Sequence, residues 1–336
     1  MMRYYPSIQI FRGILFLLIL AFHCGIPYAN LGWGGGRSLL CYQCIFSCWQ
    51  TLDVSKQFKH RIVRLYPPYI AVLIVAALYA LLMKAIPYDL VIHLLFAQNY
   101  QWMITGYSSV IQPITAHTWT LSIEVWSGLI WLLLLHSLTK QYFKFAMYGM
   151  LVIGILYRIL TIGFGANVWI VSLCPLAHFD AFACGSLLAI DVRENKLNKK
   201  IGLLSIIGIA GIVSCIGMIA INNNISFSQG YLLLSTSKNY LNNFFTGNIY
   251  IFISLLATGI LGLLFLKDKK STKDLIEIEK WLIKLGNYSY ILYLFHWPIL
   301  VVLKKLVSSW KITFPAVLAT SIVIAFTFNK IPSHQA

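Results

Sequence analysis

Acidic side chains are the scarcest feature of this sequence. Ten Asp and Glu occur in 336 residues, and charged residues of both signs reach only 11%, less than half the roughly 25% of soluble domains. Too few charges are present to cover a water-exposed surface, which excludes the soluble globular classes. Also missing are any internal repeat, any low-complexity tract and any long polar segment that would mark a linker or an appended soluble domain. The seven cysteines, Cys24, Cys41, Cys44, Cys48, Cys174, Cys184 and Cys215, all fall inside or at the ends of apolar stretches. A disulfide framework is therefore not expected. Cys41, Cys44 and Cys48 have a spacing that resembles metal ligands, but no acid or histidine lies in that apolar segment. They read as small packing residues, and no metal site is expected.

What is abundant is hydrophobicity: 59% of residues are apolar and the mean hydropathy is +0.76. About 20 apolar residues suffice to cross some 30 Å of hydrocarbon. Ten stretches qualify, at 8–28, 38–52, 67–86, 118–138, 145–163, 169–190, 201–221, 248–266, 288–307 and 312–328. The second is short, and residues 89–98 read as a half-helix or interfacial piece. The expected fold is an all-α, polytopic transmembrane helix bundle, a single domain over 1–336. No cleavable signal peptide is expected, because the first span carries Arg12 and no small-residue cleavage site follows it.

The 26 Lys and Arg give a formal charge of +16. In a soluble protein that excess would suggest nucleic-acid binding; in a membrane protein it marks cytoplasmic loops. With a cytoplasmic N-terminus, alternate loops hold 18 basic residues inside and 7 outside, Arg158 among the outer set, with Arg12 inside the first span. Both termini are thus expected in the cytoplasm of a cell-membrane protein. Residues 271–285 place Leu275, Ile278, Trp281, Leu282 and Leu285 on one helical face, as in a helix lying on the inner surface, with Gly286 as its stop. Residues 99–116 and 222–247 read as outer polar and aromatic loops that could contact a sugar or simply be solvated connections.

Glu124 and Asp180 are the only acids well inside predicted spans, beside Arg12, His23, His178 and His296. A charge at such depth costs at least about 2.5–3.5 kcal/mol, so each should be paired, cavity-facing or functional. Arg12 and His23 are eleven residues apart, about three turns, which puts both on one helix face about 16 Å apart. His23 comes out about 22 Å from the inner surface. Glu124, seven residues below His117, lies about 10 Å from the outer one, at nearly the same level. A His23–Glu124 pair is therefore geometrically possible. A carboxylate beside imidazole fixes its tautomer and raises its basicity, so that it can deprotonate an attacking hydroxyl. The competing reading is a buried ion network that pins helices together.

Two further clusters stand out. In FKHRIVRLYPPY, Arg61 and Arg64 are one turn apart beside Lys59, and Pro67-Pro68 is expected to start the next span. Paired guanidinium groups suit phosphates, although basic residues at an inner membrane edge are ordinary. In LGNYSYILYLFHWPIL, the residues Ser289, Tyr293 and His296 share a face that either lines a cavity or belongs to the core.

Taken in order, five pieces resemble acyltransferase family 3, a family of multispanning membrane proteins that move acyl groups, mostly acetyl from acetyl-CoA, onto glycans. They are Arg12 and, after ten intervening residues, His23; Arg61 and Arg64 before Pro67; HTWTLSIE with Glu124; LAHFDAFACGSLLA with Asp180 and Gly185; and LGNYSYILYLFHWP with His296. The resemblance implies an O-acetyltransferase with no tightly bound cofactor. Acetyl-CoA or another acyl-CoA would be co-substrate, its phosphates held by Arg61, Arg64 and Arg12. His23, supported by Glu124 and with Arg12 nearby, would act as general base or acyl relay. His117, Trp119, Asp180, Ser289, Tyr293 and His296 would be cavity residues. The acceptor, a glycan or lipid-linked saccharide, would arrive from outside. Two segments depart from the family pattern: QCIFSCWQ has Cys48 where a glycine is usual, and FNKIPS lacks a glutamate before its proline. A transporter or flippase and a scaffold of an envelope-synthesis complex are the competing classes. Against transport, no inverted or parallel repeat is visible.

Overall fold

The computed structural model describes residues 5–35, 54–106, 108–234, 239–270 and 276–329. Among them every regular element is helical. The long helices are α1 (Pro6–Cys24) and α2 (Val54–Leu82), followed after the short α3 (Leu90–Leu94), α4 (Gln98–Thr105) and α5 (Gln112–Thr115) by α6 (Trp119–Ser137) and α7 (Lys140–Gly163). After the short α8 (Val168–Leu173) come α9 (Phe179–Arg193), α10 (Gly202–Asn222), the short α11 (Phe227–Leu233), α12 (Tyr240–Lys270), α13 (Glu277–Leu306) and α14 (Trp310–Asn329). Nine of the described helical segments are long and apolar enough to cross a membrane, so the chain is a polytopic helical bundle. The tenth expected span, 38–52, lies outside the described residues, as do the QCIFSCWQ departure and the end of FNKIPS.

Helix α1 starts on Pro6, whose missing N–H costs nothing in a first turn, and stops at Gly25, which adopts φ +78° and caps the carbonyls of Ala21 and Phe22. Its neighbour is α13, 270 residues on. A Cβ built on Gly286 would sit 2.0 Å from the Gln9 carbonyl oxygen, and one on Gly13 would sit 2.5 Å from that of Leu282. Only hydrogen at both positions lets the two backbones touch, the device by which small residues bring membrane helices together. Gly286 is therefore a contact residue inside α13, not the stop expected for it. Residues 277–285 form the first turns of α13 instead of a separate surface helix, and 271–275 lie outside the described residues.

The pair runs parallel, with Gln9 beside Gly286, Arg12 beside Ser289 and His23 beside His296. Helix α2 runs the same way. Tyr290 Oη donates to the Leu65 carbonyl at 2.8 Å, and Lys305 Nζ lies over the Tyr79 ring at the far end. Pro67 and Pro68 sit inside α2, which corrects their assignment to a helix start. Proline keeps a helical φ and sacrifices only local backbone bonds, a loss that membrane helices tolerate.

Arg158 counts among the outer basic residues in the charge tally, although it falls inside the expected span 145–163. It lies within α7, fully buried, with Nη2 2.9 Å from Asp180 Oδ2 of α9. A further N–H of Arg158 meets the Ala177 carbonyl, and Asp180 Oδ1 accepts from the Ala181 amide at 2.9 Å. Each charge is thus compensated by the other and by backbone dipoles, as burial requires. Of the expected loop 99–116, the described residues 99–106 and 108–116 contribute to α4, α5 and the start of a 3₁₀ turn (Ala116–Thr118). Asn99 is buried there and donates to the Leu173 and Trp119 carbonyls at 2.8 and 3.0 Å, tying this connection to α8 and α6. Within 222–247, α11 begins on a Ser226–Gln229 capping box.

The largest core cluster among the described residues joins α1 to α6, α7, α9 and α12 through Phe11, Leu15, Trp131, Met147, Phe182 and Leu261. A second joins α1 to α13 and α14 through Phe16, Leu20, Leu292 and Val317. Helix α1 belongs to both, which places its polar residues at the centre of the bundle.

Candidate active site

Near the C-terminal end of α1 the bundle opens into a cavity of about 600 Å³. His23 from α1, His117 from the 3₁₀ turn, Trp119 and Thr120 from α6 and Tyr293 from α13 all border it. Aromatic and apolar walls come from Phe22, Trp169, Tyr250 and Trp297. A few polar groups converging in a largely apolar hollow are the usual form of a small-molecule site.

Pro298 shapes the α13 side. Lacking an N–H, it cannot bond the carbonyl four residues back, which is that of Leu294. His117 takes the vacancy, with Nε2 2.9 Å from the Leu294 oxygen. A carbonyl only accepts, so Nε2 carries the proton and Nδ1 the lone pair. His296, fully buried, directs Nδ1 at the Tyr293 carbonyl at 2.5 Å and so keeps its lone pair on Nε2. His117 Nδ1 and His296 Nε2 are buried without a hydrogen-bond partner among the described residues. Tyr293 Oη donates to the His117 carbonyl at 2.5 Å and receives the Thr120 hydroxyl at 2.7 Å. Trp297 Nε1 donates to the Pro113 carbonyl at 3.0 Å, so each aromatic group on this wall is fixed by a backbone oxygen.

His23, half-buried in the last turn of α1, has its ring centroid 5.2 Å from that of His296 and 4.8 Å from Trp297. Its carbonyl accepts from Lys304 Nζ at 2.8 Å. The His117 and His296 centroids are 5.4 Å apart, so His296 stands between two imidazoles that border the cavity. Among the described residues no three His, Cys, Asp or Glu side chains have an arrangement that would hold a metal ion.

The other expected site residues are distributed along the same helices. Arg12, on the His23 face about three turns earlier, is buried; Nη2 donates to Ser289 Oγ at 2.7 Å and Nη1 to Gln9 Oε1 at 3.1 Å. Glu124 follows Thr120 by one turn of α6 and interacts electrostatically with Tyr293, whereas the charged or titratable groups acting on His23 are His296 and Lys304. Among the described residues the groups found to act on His23 do not include Glu124, which depth alone would allow beside it. Equal depth fixes a level in the bilayer and leaves open which way each helix turns its side chain. Asp180 belongs to the ion pair with Arg158, which lies behind the cavity wall: the Arg158 guanidinium is 5.6 Å from the Tyr250 ring centroid. His178, also fully buried, stacks on Tyr250 at 5.9 Å and lies 5.8 Å from Trp119. Arg61 and Arg64 fall on α2 just before Leu65, at the end of the bundle that holds Arg12; their side chains lie outside the described residues.

Sequence reasoning missed Tyr250, Trp169 and Asn167 as cavity residues. Asn167 had a readable signal, since it caps α8 by accepting from the Trp169 amide at 2.9 Å; the expected span over 169–190 is itself broken at Cys174, which is extended, and Pro175.

Comparison with known proteins gives one match. A family model described as an acyltransferase domain, Acyl_transf_3, matches residues 5–330. No curated protein and no solved structure matches.

Proposed function

The chain belongs to acyltransferase family 3, and from that premise we propose that it is a membrane O-acyltransferase carrying an acyl group, most simply acetyl, from acyl-CoA to a hydroxyl of a glycan or lipid-linked saccharide. The observation that carries this reading is the position of His23, an imidazole bordering a cavity large enough for an acyl group and part of an acceptor, in a chain of this family.

In the proposed reaction the acceptor hydroxyl attacks the thioester carbonyl while His23 removes its proton. The new carbon–oxygen bond forms, the carbon–sulfur bond breaks, and the proton passes on to the departing thiolate. Acyl transfer through His23 itself is the variant of the same chemistry. Arg61 and Arg64 would meet the phosphates of coenzyme A at the cytoplasmic end, and Arg12 would hold an anionic or carbonyl part of the donor on its way to His23. Trp119 and Trp169 offer flat faces on which a sugar can stack. Glu124 would act through Tyr293 and Thr120, holding the wall opposite His23.

The test is mass spectrometry of envelope glycans from cells with and without the protein. A glycan that gains one acetyl mass only when the protein is present supports the reading. Identical glycan spectra, with the protein inserted in the membrane, would remove it.

A further inference from the structure

We propose that His296 is the positioning partner of His23, its Nε2 accepting one N–H of the His23 ring so that the other nitrogen faces the cavity as the base. The proposal rests on the acyl-transfer reading above and supplies the partner that a carboxylate would otherwise provide.

Three observations carry it. His296 has no freedom of tautomer: its Nδ1 proton is committed to the Tyr293 carbonyl, so Nε2 can only accept. That nitrogen is buried and has no partner among the described residues, and a buried acceptor left unmet is costly enough that one is expected. The nearest imidazole bordering the cavity is His23, at a ring separation of 5.2 Å and an interplanar angle of 36°. Among the described residues no side-chain hydrogen bond holds the half-buried His23 ring, so it can turn its edge to Nε2; catalytic hydrogen bonds commonly tighten once substrate is bound.

The groups facing His23 are His296 and Lys304 from α13 and, across His296, His117 from the 3₁₀ turn. Among the described residues none of these groups is an acid, so in this proposal the imidazolium formed during transfer depends on neutral acceptors. The balance is simple. The acceptor O–H proton moves to the cavity-facing nitrogen of His23, His296 Nε2 holds the opposite N–H of the resulting cation, and the proton leaves on the thiolate sulfur. His296 neither gains nor loses a proton over the cycle.

Two amide substitutions separate its two nitrogens. In His296→Asn the side-chain amide lies where Nδ1 was and keeps the bond to Tyr293, but nothing accepts at the Nε2 position. In His296→Gln the amide oxygen reaches the Nε2 position. Purified protein in liposomes is assayed for thiol release from acetyl-CoA with a sugar acceptor, across pH. The expected result is a kcat for His296→Asn about 10- to 100-fold below wild type, the loss of one hydrogen bond to a charged group, with little change in KM. The acid limb of its pH profile should move to lower pH, because removing an acceptor makes the His23 cation less stable and lowers the pH at which it forms. His296→Gln should stay within about tenfold of wild type with its limb in place. Equal activity of the two variants, or an unmoved limb in His296→Asn, overturns the proposal. Should His296→Asn fail to accumulate, His296→Gln decides alone, since a loss as deep as that of His23→Ala also overturns it. His23→Ala is run beside them. If it retains full activity, the acyl-transfer reading of His23 fails; if it is inactive while the His296 variants match wild type, only the partnership fails.

Discussion

His117 donates its Nε2 proton to the carbonyl of Leu294 at 2.9 Å, the oxygen that Pro298 leaves without a helical donor. A backbone defect in α13 thus becomes the anchor of an imidazole on the cavity wall. The Trp297-Pro298 pair is part of the site's construction, not a mere helix kink.

Restoring that donor should therefore cost activity and not stability. Pro298→Ala supplies an N–H that can reclaim the Leu294 oxygen, and removing an interior helix proline is favourable by up to about 3 kcal/mol. The expected outcome is equal or higher thermal stability in detergent with transfer reduced about five- to tenfold, the equivalent of one hydrogen bond. Unchanged transfer would show that His117 does not need this anchor.

Gly286 carries the α1–α13 contact. In Gly286→Ala the new methyl meets the Gln9 carbonyl 2.0 Å away, so the helices must part, at a cost of about 1–3 kcal/mol. His23 and His296 should lose their register together. Gly217→Ala in α10, where a Cβ meets nothing within 4 Å, should instead be neutral or stabilising by up to about 1 kcal/mol. Thermal unfolding and transfer rates of the two variants check this; similar behaviour of both would contradict it.

The Arg158–Asp180 pair is expected to support the fold. Asp180→Ala leaves a buried guanidinium uncompensated and should cost about 3–5 kcal/mol, visible as lost accumulation in the membrane. Replacing both residues, as in Arg158→Met with Asp180→Leu, should recover much of it, because no lone charge remains. Normal accumulation and melting of Asp180→Ala would assign the acid to something other than this pair.

Glu194, at the end of α9, is 2.7 Å from Lys140 Nζ and 2.5 Å from Lys196 Nζ. Hydrogen bonds to these two lysines pull its carboxyl down to about 2. A carboxyl lowered on folding contributes stability above its unfolded value, about 4.3, and loses it as the pH falls toward about 2. Thermal stability should decline over that interval in wild type and decline less in Glu194→Gln, with the difference shrinking in high salt. Parallel curves would show the cluster to be inert.

Much of this arrangement is legible in the sequence, where local periodicity decides it. Arg12 and His23 share a face because eleven residues are close to three turns, and Ser289, Tyr293 and His296 form a stripe for the same reason. Trp119, His117 and Tyr293 do line the cavity. The errors come where a local signal has two structural meanings. A proline pair can start a helix or lie inside one, as Pro67 and Pro68 do. A glycine can end a helix or admit a neighbour, as Gly286 does. That His296 would lie beside His23, at a ring separation of 5.2 Å, could not be read because it depends on α1 lying parallel to the distant α13, and depth alone favoured Glu124. Arg158 was misplaced because hydropathy does not show that Asp180 waits beside it.

The most direct test is thiol release from acetyl-CoA by purified protein in liposomes, comparing wild type with His23→Ala at equal amounts and equal thermal stability. If His23 is the group at which the acyl moiety is transferred, the variant should fall by at least about 100-fold, the scale of a lost general base. A His23→Ala protein that releases thiol and acylates the acceptor at the wild-type rate would contradict it.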